Sequence, residues 1–171
     1  MPAWLLWLLG AVAMLGEGPL LQFLGAEDWA LQIAIPCALY AGLRRPFTPG
    51  ATLLALWLPL ADWASMCPGG MHTLGLVTLF VLCRLIEPWI DVSRWSLFHG
   101  LLCALAAFIH HAVIAAVLLI TQPDSPALLA SLITSPAAMV FTAAAGWPLG
   151  WALARLDRWF EGRQRSQGIR L

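Results

Sequence analysis

Leu97 to Thr121 runs without a single Asp, Glu, Lys or Arg. A bilayer core about 30 Å thick is crossed by about 20 mostly apolar residues of helix, so this stretch reads first as a membrane span. Five further apolar runs flank it: Ala3 to about Leu24, Trp29 to Leu43, Gly50 to about Met66, Met71 to Ile86, and Leu128 to Leu156. Composition agrees. The 171 residues are 61% hydrophobic and 11% charged, against about 45–50% and about 25% in soluble domains. The expected fold is an all-α integral membrane protein, a six-helix transmembrane bundle. The second to fourth runs are short and several contain Pro, which predicts tilted, kinked or broken helices. Residues 1–156 form the expected transmembrane domain and 157–171 a basic cytoplasmic tail. The first run lacks the basic start of a signal peptide and is expected to be a retained helix.

Charge distribution fixes the orientation. The net charge is zero, which gives no general attraction to nucleic acid. All nine basic residues are Arg. With six crossings, Arg44, Arg45, Arg84, Arg94, Arg155, Arg158, Arg163, Arg165 and Arg170 fall on one side. Glu27, Asp28, Asp124 and the uncharged loop around Pro68 fall on the other. The positive-inside rule assigns the arginine side to the cytoplasm, with both termini there. Trp29, Trp89, Trp95, Trp151 and Trp159 fall near the predicted interfaces. The basic tail is either a topology anchor touching anionic lipid or a dock for a cytoplasmic protein.

Few polar residues lie inside the spans, and a charge there is expensive enough to need a reason. At about 1.5 Å of rise per residue, Glu17, Asp62, His110 and His111 all lie roughly 18–21 Å from the arginine side. They form a candidate polar layer in the outer half of the membrane. No Arg is available at that level, so the carboxylates must find His, hydroxyl, backbone or water. Asp62 either faces the bundle interior beside His110 or His111, or ends its span by capping or wetting the helix end. Pro68, Gly69 and Gly70 supply the following turn, where Gly adopts positive φ without strain.

His99, Cys103, Ala106 and His110 share one helical face. His99 and His110 stand about 16 Å apart along that helix, too far to bind one metal ion or clamp one haem; no metal and no cofactor is expected. Cys37, Cys83 and Cys103 lie in apolar runs and Cys67 in a loop, with no CxxC, so neither a disulfide framework nor a zinc site is expected. Ala138, Thr142, Gly146, Gly150 and Ala154 are small and four apart. Such a face lets backbones approach closely, either within the bundle or against a partner's transmembrane helix. No Walker loop, GxSxG or HExxH is present, and no nucleophile is placed beside Asp62, so no enzyme activity is expected.

Ala61-Asp62-Trp63, followed by Gly69-Gly70 and Thr73-Leu74-Gly75, is similar to a span, aspartate and glycine turn of the MreD family, the small membrane component of the bacterial rod-shape machinery. Leu31 to Leu43 with Tyr40, then Arg44-Arg45-Pro46, resembles that family's second span and basic turn. Ala152 to Arg158 resembles its C-terminal edge. The resemblance implies a non-enzymatic role in the bacterial inner membrane, binding the bitopic protein MreC and peptidoglycan synthases of cell-wall elongation. It also implies a fold like the S components of energy-coupling-factor transporters. An S component with a small molecule bound at Glu17, Asp62, His110 and His111 is the alternative reading.

Overall fold

The computed structural model describes residues 2–23, 32–65, 70–89 and 95–166; side chains at 20, 64, 65, 95–98, 127, 130 and 161–166 are not described. Among the described residues there are six α-helices: α1 (Ala3–Phe23), α2 (Ala34–Arg44), α3 (Phe47–Ser65), α4 (Met71–Ile86), α5 (Trp95–Thr121) and α6 (Pro126–Ser166), with a 3-10 turn at Glu87–Trp89 after α4. The described part is all-helical. Trp29, Glu27, Asp28, Met66, Cys67, Pro68, Gly69, Arg94 and Arg170 lie outside the described residues.

Four helical segments are long and apolar enough to cross a membrane: Ala3–Phe23, Met71–Trp89, His99–Thr121 and Ser131–Phe160. α3 has the length, with 19 residues, but Thr48, Pro49, Pro59 and Asp62 dilute its apolar content. α2 starts five residues later than its apolar run. Its 11 residues rise only roughly 16 Å, about half the hydrocarbon core. It is buried from Ile35 to Leu43 and touches every other helix. A helix apolar on all sides belongs inside, and one enclosed by protein does not have to match the bilayer.

Three prolines are placed where helices tolerate them. Pro36 and Pro49 occupy the first turns of α2 and α3, and Pro126 opens α6, positions whose N–H has no partner within the helix. Pro19, Pro59, Pro136 and Pro148 lie inside helices that continue past them. α6 also carries the chain beyond the expected domain boundary at residue 156. The first ten residues of the predicted tail continue the same helix.

Lipid is as apolar as leucine, so hydrophobicity alone does not hold these helices together; close packing must. Glycines provide it. A Cβ on Gly10 would stand 2.5 Å from the Trp57 ring, and one on Gly42 would stand 2.8 Å from Cys83 Cβ. A Cβ on Gly75 would strike His110, one on Gly146 would strike Cys103, and one on Gly150 would strike His99. The small stripe of α6 is therefore closed. Ala138, Thr142, Gly146, Gly150 and Ala154 are all buried; Gly146 and Gly150 close on Cys103 and His99 of α5, and Gly146 also on Pro36 of α2. Of the two readings of this stripe, these contacts match packing within the bundle: Gly146 and Gly150 admit the bulk of Cys103 and His99.

Candidate functional site

Two levels of polar side chains cross the bundle. At the level of the predicted polar layer, each carboxylate is held by the start of the next helix. Glu17 of α1 accepts the Ile33 N–H at 2.9 Å, and Ile33 is the N-cap of α2. Asp62 of α3 accepts the Thr73 N–H at 3.1 Å and the Thr73 hydroxyl at 2.5 Å. Thr73 is the third residue of α4, whose N-cap Gly70 has φ +90°, the left-handed conformation that glycine adopts most readily. The first N–H groups of a helix have no partner inside it, and a carboxylate at that end also meets the positive pole of the helix. The sequence reading had Asp62 either facing the bundle interior or capping the end of its own span; here it holds the start of the next helix.

The histidines lie between these two caps. His110 is fully buried, its ring centroid 4.8 Å from that of His72 and 5.9 Å from that of His111. His111 Nε2 meets the Gln32 amide nitrogen at 3.3 Å, and its Nδ1 meets the Ser131 hydroxyl at 3.5 Å. With Nε2 accepting from Gln32, Nδ1 carries the ring proton and donates to Ser131. His72 directly precedes Thr73, the residue that Asp62 holds. The four predicted residues are thus linked through others. Glu17 holds Ile33, its neighbour Gln32 holds His111, His111 and His110 are in contact, and His110 packs on His72 beside Asp62.

His72, Gln32, Thr73 and Ser131 are the members that the sequence reading missed. His72 and Thr73 sit in the first turn of α4, where a polar residue reads as the end of a loop. The predicted stripe on α5 is buried throughout, at His99, Cys103, Ala106 and His110. Its two histidines serve different neighbours: His110 meets Gly75 of α4, and His99 meets Gly150 of α6.

The second level lies at the arginine end. Tyr40 donates its hydroxyl to Asp157, and Arg45 pairs with the other Asp157 oxygen at 2.6 Å. Arg84 pairs with Glu87 at 2.5 Å, donates to the Arg45 carbonyl, and lies 5.9 and 5.5 Å from the ring centres of Phe47 and Phe80. The ends of α2, α4 and α6 meet here, as the charge pattern predicts. Arg44, Arg155 and Arg158 are exposed at this end, while the side chains of Arg163 and Arg165 are among those not described.

Chemically, the outer level is a set of caps and ring contacts. Its carboxylates accept from backbone and hydroxyl donors, and its best-buried imidazole is pressed onto a glycine. Among the described residues, open grooves lie elsewhere. One of about 450 Å³ runs between α1 and α3, past Trp4, Trp7, Thr52 and Leu56; another, about 530 Å³, lies along the end of α6. No protein-family model, curated protein or solved structure matches this chain.

Proposed function

We propose that this chain is a non-enzymatic scaffold of the bacterial cell-shape machinery, of the MreD kind. It sits in the inner membrane with both termini cytoplasmic and binds an MreC-like bitopic protein and peptidoglycan synthases. The observation that carries this reading is the engagement of the polar layer. Glu17 and Asp62 are taken up by Ile33 and Thr73, so a ligand would have to displace helix caps. The alternative, a small-molecule-binding subunit resembling an S component, needs those same groups to face an open outward site.

Surface remains available for partners on α1. Trp4, Leu8, Val12 and Leu15 are exposed along one side of it, next to the groove shared with α3. A single-span partner would lie there, its helix packing on apolar side chains, and not on the closed stripe of α6.

Deletion in a rod-shaped host, together with purification in mild detergent, tests the proposal. Loss of rod shape and recovery of a bitopic protein with a synthase support it. Unchanged cell shape, or recovery of transporter ATPases instead, overturns it.

A further inference from the structure

Trp151, Arg155 and Trp159 follow one another at intervals of four on α6, so they stand on one helical face. Both tryptophans are about half exposed, at 47% and 55%. The Arg155 guanidinium lies 5.1 Å from the centre of the Trp151 ring. With Ala152 and Leu156 these residues line the groove of about 530 Å³. Asp157, the nearest carboxylate in sequence, is turned inward to Tyr40 and Arg45. Among the described residues no carboxylate pairs with Arg155 or with the exposed Arg158.

Depth places this face. The apolar run of α6 begins at Leu128; about 20 residues cross the hydrocarbon core, so the helix leaves the core near Pro148, about one turn before Trp151. Indoles prefer the interface just beyond. A guanidinium there presents a planar fork that matches a phosphate with two parallel hydrogen bonds, and its charge complements an anionic leaflet.

We propose that Trp151, Arg155 and Trp159 form a selective seat for an anionic phospholipid in the leaflet on the arginine side. Arg155 holds the phosphate, Trp151, one turn nearer the core, packs on the glycerol region beside Ala152, and Trp159, one turn farther out, covers the headgroup. The site does not depend on the cell-shape role.

Native mass spectrometry of the full chain, offered equal amounts of phosphatidylglycerol and phosphatidylcholine with the same acyl chains, tests this. The protein is expected to retain phosphatidylglycerol in preference, and added salt weakens that preference. R155Q lowers it about fivefold, the factor expected for one basic side chain at an anionic surface. R155K, which keeps the charge and loses the fork, falls between; R44Q, at the same end, leaves it unchanged. Equal retention of the two lipids by the wild-type chain overturns the proposal, as does a preference insensitive to salt. So does unchanged selectivity in an R155Q protein that elutes like wild type. A photo-crosslinker at position 152 in native membranes is expected to capture lipid; capture of a protein there also overturns the assignment.

Discussion

The Asp62 carboxylate receives both the backbone N–H and the hydroxyl of Thr73, at 3.1 and 2.5 Å, so the end of α3 fastens the beginning of α4. Removing a side-chain cap costs about 0.5–2 kcal/mol. D62A is expected to destabilise the detergent-purified protein by an amount within that range, read as a lowered thermal midpoint. T73V, which removes only the hydroxyl donor, is expected to cost less. A D62A protein that melts with wild type would show that the cap contributes nothing.

His99 and Gly150 form a bulky-to-small pair between α5 and α6, where a Cβ on the glycine would collide with the imidazole. Overfilling a packed interior costs about 1–3 kcal/mol. G150A is therefore expected to destabilise the bundle by that amount, and H99A/G150A to be more stable than the sum of the single changes allows. The same logic applies to G75A against His110. The readout is a double-mutant cycle on melting in detergent; strict additivity would mean that the two residues do not press on one another.

The α5 stripe was legible because helical periodicity is local: His99, Cys103, Ala106 and His110 share a face whatever the rest of the chain does. Rise per residue also grouped Glu17, Asp62, His110 and His111, which the structure links through Ile33, Gln32, His72 and Thr73. Partners were not legible. Glu17 finds Ile33, where α2 begins only after the apolar run that starts at Trp29 is well under way, and periodicity cannot place such a boundary. The Tyr40–Asp157 bond joins residues 117 apart. Within the sequence, Asp157 reads as one acid in an arginine-rich tail, and only the return of α6 to the end of α2 gives it a role. The closure of the α6 stripe was equally hidden, because small residues at intervals of four describe close packing without naming the helix that fills it.

Asp157 is largely shielded, with its side chain 16% exposed and that of Arg45 17% exposed. Removing one partner leaves the other charge poorly solvated, whereas removing both does not. D157A is expected to destabilise by about 2–4 kcal/mol. R45A/D157A is expected to recover part of that loss, and Y40F to cost only about 1 kcal/mol, a single hydrogen bond. Thermal melts at low salt, with coupling taken from the cycle, make the check. A double variant no better than D157A would show that the pair is not coupled.

Opposite ends of α6 should face opposite sides of the membrane. Asp124 and Ser125 precede the helix, while Asp157 near its far end meets Arg45 and, through the Arg45 carbonyl, Arg84. Cys37, Cys83 and Cys103 are buried and should resist labelling. With Cys67 changed to Ser, an introduced cysteine is then the reactive one. D124C is expected to react with an impermeant maleimide in intact cells, and R158C only after the membrane is opened. Most of the apolar segment Ser131–Phe160 lies between the two positions, so labelling from one side at both would mean that α6 returns within the bilayer. It would also place Arg155 and Trp159 at a different depth and remove the basis for an interfacial lipid seat.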